Sequence, residues 1–404
     1  MIDLPTIETG KVAIKLKPKA EVLVKKGHPW VFDQSIIKQN REGQAGDIAV
    51  LFDHRKDKFL ACGFYDPDSP IRIKILQAHT PISINRAWFK SKIEAAYAKR
   101  LPLFETETNA YRLLHGENDG LPSLVADVYD RVLVVKLYSQ IWIPYLKDVL
   151  PELLEISKTQ TAILRLSRNV QKGEHLYGLH DGQVLHGSLD NETIPYREHG
   201  VIFSANVIRG HKTGAFLDHR ENRRKVGAMA AGKTMLDVFA YAGGFSIHAL
   251  MGGATEVTSL DISAQALGVA QRNAALNTYA GTHSILVGDA FKALTELAEQ
   301  NKQFDVVVID PPSFAKSKVE IDRALHSYVK LAIMGAKLVK KPGLLVLASC
   351  SSRVSAEKFF DLMEETIRKV EPRSVVLEKT QHDLDHPIGF PEGAYLKCIY
   401  FKLS

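Results

Sequence analysis

The spacing of apolar residues divides the chain into three stretches of different character. From residue 11 to 75, short apolar segments alternate with Gly, Asp and Pro turns, a pattern typical of a small all-β unit. An amphipathic helix over 84–99 then precedes strand-like segments at 111–138 and 161–166. We therefore expect a β-barrel domain over 1–76 and a mixed α+β domain over 77–190.

The third stretch, 191–404, alternates strands and helices regularly. Strands are predicted at 234–239, 256–260, 284–287, 304–309 and 344–348, and helices near 263–277, 291–300, 319–340 and 356–370. This rhythm predicts a Rossmann-like α/β domain with a mostly parallel, doubly wound sheet. Two last strands, 374–379 and 395–402, lie close together in sequence, and we expect them to form an antiparallel pair at one edge.

Composition narrows the class of protein. The chain has 404 residues, of which 45% are hydrophobic and 24% charged, as in ordinary globular proteins of two or three domains. No apolar run approaches the roughly 20 residues that span a bilayer, and the N-terminus lacks the features of a signal peptide. The widely spaced Cys62, Cys350 and Cys398 fit a reducing cytoplasm without a metal cluster. We expect a cytoplasmic protein with no membrane association; a homodimer stays open.

Lysines are concentrated near the N-terminus, although the net charge of the chain is only +6. Six of them fall within the first 26 residues: Lys11, Lys15, Lys17, Lys19, Lys25 and Lys26. Such a patch can neutralise backbone phosphates, and the alternative is an ordinary solvated surface. The chemistry predicted further along the chain favours RNA as the partner.

The strand at 304–309 ends in Asp310-Pro311-Pro312-Ser313-Phe314. Two prolines make a stiff turn with exposed carbonyl groups, Asp310 can bind the polar edge of a base, and Phe314 can stack on its face. The alternative is a rigid loop with one core aromatic residue. The turn favours a site for a planar nucleobase.

Cys350 follows the next strand of the same predicted sheet. A single cysteine is more often an inert small hydrophobic residue, but its place at a strand end beside the Asp-Pro-Pro turn favours a nucleophile. Arg353, or the amides of a helix that starts near Ser355, could favour the thiolate. Cys62 and Cys398 lie inside predicted strands and are assigned to packing. The two strand ends indicate chemistry on a nucleobase, and together with an upstream glycine turn that suits a nucleotide-like cofactor they indicate methyl transfer to a base.

Three further strand ends indicate a nucleotide-like cofactor. Gly243-Gly244 lets the backbone approach a ligand closely, and Asp261 is placed to bind a ribose. Asp289 can accept a hydrogen bond from an adenine amino group, although an Asp here also suits a helix N-cap. Between 209 and 224, basic residues that include Lys212 surround one aromatic residue and two glycines. This segment fits a loop that covers the cofactor and contacts phosphates, or else a polar linker followed by a charged helix.

These motifs resemble one known family. Gly27-His28-Pro29-Trp30-Val31-Phe32, His115 to Pro122, Lys212 to Arg220, Phe239 to Ser246 and the Asp-Pro-Pro turn are similar, in this order, to the RlmI-type class I S-adenosylmethionine-dependent methyltransferases. That family methylates carbon 5 of cytosine in large-subunit ribosomal RNA. Ser313 and Ala242 depart from it, since Lys and Thr are common there.

The resemblance implies an N-terminal PUA domain that binds RNA, S-adenosyl-L-methionine as cofactor, and large-subunit ribosomal RNA as partner. It also implies roles for residues of the matching motifs. Catalysis falls to Cys350 and Asp310, and the substrate contacts to Pro311, Pro312, Phe314 and Lys212. The implied cofactor contacts are Phe216, Arg220, Phe239, Tyr241, Gly243, Gly244, Asp261, Asp289 and Asp310.

Three other functions stay open from the residues alone. An amino-group methyltransferase could use the Asp-Pro-Pro turn without a thiol. An RNA-binding assembly factor could keep a methyltransferase fold without activity, although Asp261, Asp289, Asp310 and Cys350 argue against it. A dehydrogenase is disfavoured because no residues for hydride transfer are recognisable.

Overall fold

The structure is a computed structural model that describes residues 3–315 and 317–404. The chain divides into two units. Unit 1 comprises Met1–Tyr196, Ser204–Leu217 and Leu384–Phe390, and unit 2 comprises Arg197–Phe203, Asp218–Asp383 and Pro391–Ser404. The boundaries at residues 76 and 190 that we expect from the sequence stay a prediction.

Unit 1 begins with a six-stranded sheet in the order β2-β6-β5-β4-β1-β3. Its elements are β1 Lys11–Leu16, α1 Pro18–Lys25, β2 Trp30–Val31, β3 Ile36–Gln39, β4 Ile48–Phe52, β5 Phe59–Tyr65 and β6 Ile73–Ala78. Alternating burial along β1 places Val12, Ile14 and Leu16 in its core. The predicted strands are confirmed, whereas the helix α1 is an addition that the all-β interpretation lacked.

A second sheet of unit 1 has the order β11-β10-β9-β8-β7. Its elements are α2 Arg86–Ala98, β7 Ala110–His115, β8 Leu124–Tyr129, β9 Val132–Leu137, α3 Leu146–Ser157, β10 Thr161–Leu166, α4 Arg168–Gln171 and β11 Gln183–His186. The helix predicted over 84–99 is confirmed as α2, which Asn85 caps by accepting from Trp88 N at 3.0 Å. A hairpin of β12 Thr193–Glu198 and β13 Val201–Asn206 follows.

Unit 2 contains the alternating α/β region. Its elements are α5 Arg220–Ala228, β14 Thr234–Val238, α6 Gly244–Met251, β15 Glu256–Asp261, α7 Ala264–Ala275, β16 Thr282–Val287, α8 Ala290–Glu299, β17 Phe304–Ile309, α9 Ile321–Leu338, β18 Val339–Ser349, α10 Ala356–Val370, β19 Val375–Thr380 and β20 Lys397–Leu403. Short 3-10 helices occur at Asp33–Ser35, Leu101–Glu105, Gly116–Asp119, Gln140–Tyr145, Lys318–Glu320 and Pro391–Gly393.

The sheet of unit 2 has seven strands in the order β16-β15-β14-β17-β18-β20-β19. The five strands from β16 to β18 pair in parallel, and β20 pairs antiparallel with both β18 and β19. This confirms the predicted parallel sheet and its antiparallel edge. The chain moves outward from β14 to β16 and then returns to β17 on the other side of β14. Such a reversal opens a crevice at the carboxyl ends of β14 and β17, where α/β proteins bind ligands.

Helix packing completes unit 2. In α10, Phe359, Met363 and Ile367 recur every four residues and are buried, so that one face of the helix packs against the sheet. Ser355 caps this helix by accepting from Lys358 N at 3.2 Å. Within 3–315 and 317–404, no helix has the length and apolar character needed to cross a membrane.

Candidate active site

Four strands of unit 2 present polar residues at their carboxyl ends. β14 leads to the segment from Phe239 to Gly243, β15 ends in Asp261, β17 is followed by Asp310, and β18 is followed by Cys350. Asp310 N donates to Val238 O at 3.3 Å, so the chain leaving β17 is joined to the end of β14. The predicted residues therefore share one edge of the sheet.

The loop after β14 has an unusual backbone. Phe239, Tyr241 and Gly243 all have positive φ angles, of 66°, 48° and 79°. Such angles cost on the order of 1–3 kcal/mol for a residue with a side chain, and such strain is concentrated at functional sites. A Cβ on Gly243 would lie 2.9 Å from Ala270 Cβ, so this position requires glycine for space as well as for φ.

Asp261 fixes this loop. One of its carboxylate oxygens accepts from Tyr241 N at 2.9 Å and the other accepts from Ser263 N at 2.8 Å. An ionised carboxylate has about four acceptor positions, so these two bonds leave capacity for hydroxyl donors. Asp261 is half-buried, so part of its carboxylate stays accessible while it supports the loop.

Apolar surface lies next to these polar groups. Ile262 is 71% exposed directly after Asp261, and Val287 is 50% exposed at the end of β16. Asp289 caps α8 by accepting from Lys292 N at 3.1 Å, as the alternative interpretation of this residue predicts. Ile262 and Val287 were not among the residues predicted from the sequence. Their position at strand ends was the available signal.

A second carboxyl group, which the sequence analysis did not single out, lies beneath the loop. Asp237 in β14 is 1% exposed, and its Oδ2 accepts from Ser246 N at 3.0 Å and from Ser246 Oγ at 2.7 Å. Burial, together with the charges of Asp310 and Asp261, raises the pKa of Asp237 to about 7. This carboxyl group therefore carries a proton more readily than an ordinary aspartate.

Asp310 has a buried imidazole beside it. His219 Nε2 lies 3.4 Å from Asp310 Oδ1, and Asn222 Nδ2 lies 3.0 Å from His219 Nδ1. Burial opposes a charge on His219, but the Asp310 carboxylate outweighs it, and the pKa of His219 is raised. His219 lies within the motif Lys212 to Arg220 but had no predicted role of its own. The structure gives it a specific partner.

The thiol of Cys350 lies beside the proline turn. Its Sγ donates to Pro311 O at 3.6 Å, which joins the ends of β17 and β18. Pro311 is buried, whereas Pro312 is exposed. The Phe314 ring is half-buried and packs against Tyr328, with ring centroids 5.3 Å apart. Cys62 and Cys398 are buried in β5 and β20, so their predicted assignment to packing is confirmed.

The basic segment from 209 to 224 is divided between the two units. Lys212 and Phe216 belong to unit 1, where the carbonyl of Lys212 accepts from Lys136 Nζ at 2.7 Å and the Phe216 ring is 40% exposed. Arg220 belongs to unit 2 and is fully buried, with Nη1 3.1 Å from Asp383 Oδ2. Buried Arg223 forms a two-pronged pair with Glu198. Hydrogen bonds and ion pairs therefore fix the segment both before and after residue 217.

The fold and the strand ends define a class: a doubly wound α/β protein with two carboxylates and a thiol at the carboxyl ends of its strands, where proteins of this class bind ligands. Comparison with known proteins narrows this class. A family model described as S-adenosylmethionine-dependent methyltransferase matches residues 111–402, and a PUA-like domain matches 14–78. The chain belongs to the S-adenosylmethionine-dependent methyltransferases and has a PUA-like domain at its N-terminal end.

Individual relatives agree with this family. A ribosomal RNA large subunit methyltransferase of Deinococcus radiodurans is 41% identical over 406 residues, which cover 99% of each chain. A ribosomal RNA large subunit methyltransferase I of Alteromonas mediterranea is 34% identical over 96% of this chain and 98% of its own.

Solved structures share the fold. A provisionally assigned S-adenosylmethionine-dependent methyltransferase from Streptococcus mutans superposes with a TM-score of 0.80 at 22% identity, over 97% of this chain and 100% of its own. A provisionally assigned methyltransferase complexed with SAH gives the same TM-score and identity, over 98% of this chain and 100% of its own.

The residues present fit S-adenosylmethionine. Its hydroxyl groups need acceptors, and the Asp261 carboxylate would supply them. Its adenine ring needs apolar contact, and the exposed side chains of Ile262 and Val287 would supply that. The loop from Phe239 to Gly243, with positive φ at Phe239, Tyr241 and Gly243, presents backbone at the same edge of the sheet. Across 3–315 and 317–404, no cluster of three His, Cys, Asp or Glu side chains is arranged to hold a metal ion.

Proposed function

We propose that this chain methylates carbon 5 of a cytosine in large-subunit ribosomal RNA, with Cys350 as a covalent nucleophile. The observation that carries the proposal is the 3.6 Å contact between Cys350 Sγ and Pro311 O. It sets a nucleophilic atom beside the turn that carries Asp310. The Cys350 thiol, which would attack the base, then lies near the Asp310 carboxylate, which would hold the polar edge of the base.

The substrate class rests on the relatives and on the basic N-terminal region. Both relatives described above are named ribosomal RNA large subunit methyltransferases and match the chain over nearly its full length. Lys17, Lys19 and Lys26 are exposed on or beside α1 in the PUA-like region. Exposed lysines that lie together neutralise backbone phosphates without reading sequence, so they suit a general contact with RNA.

The reaction begins with Cys350. Carbon 5 of cytosine is a poor nucleophile, but a bond from the Cys350 sulfur to carbon 6 moves the electron pair of the double bond toward carbon 5. When bound, S-adenosylmethionine supplies an electrophilic methyl group. After carbon 5 has been methylated, a base removes its proton, the double bond forms again, and the thiolate leaves. The target base must leave any stem to reach this edge of the sheet.

Asp310 and Phe314 position the base. Negative charge develops on the polar edge of the ring when sulfur adds, and Asp310 with its neighbour His219 can hold a proton there. Phe314 and Pro312 flank the base on its faces. In unit 2, the residues that form or support the cofactor site are Arg220, Phe239, Tyr241, Gly243, Gly244, Asp261, Asp289 and Asp310. In unit 1, the contact of Lys212 with the RNA backbone and that of Phe216 with the cofactor stay predictions from the sequence.

The test combines a variant with a trap. Cys350→Ala should lose at least about a thousandfold in turnover, because removal of a covalent nucleophile typically costs this much, while it still binds S-adenosylmethionine. RNA that contains 5-fluorocytosine has no removable proton at carbon 5, so it should leave a covalent complex with the wild type and none with Cys350→Ala. Cys62→Ala, which removes a buried thiol from unit 1, is the control and should keep activity.

Two other outcomes would change the proposal. Full activity in Cys350→Ala, with label in an N-methylated nucleoside, would assign amino-group transfer by the Asp-Pro-Pro turn. Binding of RNA without binding of cofactor would instead assign a role in ribosome assembly.

A further inference from the structure

A buried lysine lies behind the loop that carries Cys350. Lys397, the first residue of β20, is 1% exposed. In the antiparallel pairing of β18 and β20 it is the partner of Ser349, so it lies one position from Cys350. Lysine is rarely buried unless something compensates its charge.

The contacts of Lys397 show what it holds. Its Nζ donates to Ser351 O, to Val354 O at 2.6 Å and to Tyr395 O at 2.9 Å. Two of these three acceptors lie on the segment from Cys350 to Val354. The ammonium group therefore fastens the loop after β18 to the start of β20, and the position of the Cys350 thiol depends on it.

Three carbonyl dipoles do not neutralise a whole charge. Burial lowers the pKa of Lys397 to about 8, and the Cys350 thiolate opposes this fall. The interaction is reciprocal: the Cys350 thiolate favours the ammonium form of Lys397, and the ammonium group in turn favours the thiolate form of Cys350. The cost of burying the ammonium group is partly recovered when Cys350 ionises.

Other titratable groups lie near Cys350. The Tyr328 phenol from α9 interacts with Cys350, but its pKa is raised to about 12, so it stays neutral and adds no charge beside the thiol. Asp310 precedes the Pro311 carbonyl that accepts from Cys350 Sγ, and its carboxylate disfavours a second negative charge nearby. His219 faces Asp310, and Arg353 is exposed on the loop itself. The helix α10 begins at Ala356, directly after its N-cap Ser355. Lys397 is the buried cation that approaches from β20.

We propose that Lys397 is a positioning residue for the methyl transfer, which holds the Cys350 loop in place and favours the thiolate over the thiol. The inference rests on the proposed function of Cys350 as nucleophile. Its physical content, a coupling between an ammonium group and a thiol, can be measured without any turnover.

The experiment follows alkylation of Cys350 by iodoacetamide as a function of pH in the full-length protein, with the modified peptide quantified by mass spectrometry. In Lys397→Met the midpoint of alkylation should rise by at least about one pH unit, which is about tenfold less thiolate at neutral pH. Lys397→Arg keeps the charge and should restore most of the wild-type profile. Lys340→Met, a lysine near the other end of β18, is the matched control and should leave the profile unchanged. An unchanged midpoint in Lys397→Met would overturn the proposal.

A reciprocal measurement covers the case in which Lys397→Met does not fold. The Nζ titration of Lys397, followed by NMR of ¹³C-labelled lysine, should move to lower pH in Cys350→Ala, because the thiolate no longer supports the ammonium form. No difference between wild type and Cys350→Ala would refute the coupling. Cys350→Ala could instead keep full methylation and still show the shifted Lys397 titration. The proposed catalytic mechanism would then fail, whereas the coupling between Lys397 and Cys350 in the wild type would stand.

Discussion

His219 Nε2 and Asp310 Oδ1 lie 3.4 Å apart, which joins the residue before α5 to the residue that follows β17. Because His219 is buried, its imidazolium form depends on the Asp310 charge, and the pKa of His219 is raised. A base with a raised pKa stabilises the folded state below its unfolded pKa, and this stabilisation is lost as pH rises through the folded pKa.

His219→Gln should therefore destabilise the protein most at acidic pH. We expect a loss in unfolding free energy on the order of 1 kcal/mol below the unfolded pKa of about 6.5, and this loss should disappear as pH rises through the raised pKa of the folded state. Thermal unfolding of both proteins at several pH values measures the difference, and His326→Gln on the exposed side of α9 should show none of this pH dependence. A difference independent of pH would mean that His219 stays neutral, with Nδ1 accepting from Asn222.

Gly243→Ala should weaken both the fold and the cofactor site. A side chain at φ 79° is strained, and its Cβ would lie 2.9 Å from Ala270 Cβ, so we expect a loss of about 3 kcal/mol in unfolding free energy. Displacement of the loop should raise the dissociation constant for S-adenosylmethionine at least about tenfold.

Gly232→Ala separates these two effects. Gly232 also has a positive φ, of 70°, but a Cβ there meets nothing within 4 Å. We expect a loss of about 1 kcal/mol from backbone strain alone, with unchanged cofactor affinity by calorimetry. Equal losses for the two variants would show that space around Gly243 is unimportant.

The prediction of regular elements from the sequence succeeded where the apolar period was long and uninterrupted. α10 spans Ala356–Val370 as predicted, because its apolar residues recur at helical spacing after a clear Ser355 cap. α1 was missed because its eight residues have only two buried apolar positions, Ala20 and Val24, among lysines. A pattern of that length is dominated by its charges.

Long-range pairing was outside the reach of local patterns. The segment Leu384–Phe390 returns to unit 1, where Asp385 accepts from Arg112 N at 2.8 Å across 273 residues of sequence. The strand ends predicted Asp261, Asp310 and Cys350 at one edge of the sheet. They did not reveal Lys397, because the sequence of β20 contains two lysines, Lys397 and Lys402, and only the pairing with β18 shows that the first of them is buried.

Glu198→Gln should be among the most destabilising single changes in unit 2. Glu198 is 1% exposed and accepts from Arg223 Nε and Nη2, both at 2.7 Å, while His248 Nε2 lies 2.9 Å from its Oε1. Burial opposes the carboxylate, but Arg223 and His248 outweigh it and hold the pKa of Glu198 far below its usual value. Removing the charge leaves Arg223 buried without its counter-ion, at a cost of about 3–5 kcal/mol.

An exposed pair provides the control for Glu198. Glu221 binds Arg224 at the surface of α5, so Glu221→Gln should cost no more than about 1 kcal/mol. Urea unfolding monitored by circular dichroism measures both variants. Similar losses would show that burial does not determine the strength of the Glu198 pair.

Asp237→Asn should stabilise the protein at neutral and alkaline pH. Because burial raises the pKa of Asp237 to about 7, the folded state binds a proton that the unfolded state has already released above about pH 4. The unfolding free energy of the wild type therefore falls as pH rises from 4 to 7. Asn resembles the protonated acid and lacks this fall, so its advantage over the wild type should grow with pH, up to about 4 kcal/mol at pH 8.

For Asp305, at the other end of the sheet, we expect the opposite dependence of the unfolding free energy on pH. Burial raises its pKa, but hydrogen bonds from Thr234 and the nearby Lys340 outweigh it and lower the pKa overall. The stabilisation is present above the unfolded pKa and is lost as pH falls, so Asp305→Asn should destabilise at pH 7 and have little effect at pH 3. Thermal unfolding between pH 3 and 8 measures both variants. As pH rises, Asp237→Asn should become more stable than the wild type and Asp305→Asn less stable. Parallel profiles would mean that the buried Asp237 is ionised throughout, and that the crevice at β14 tolerates its charge.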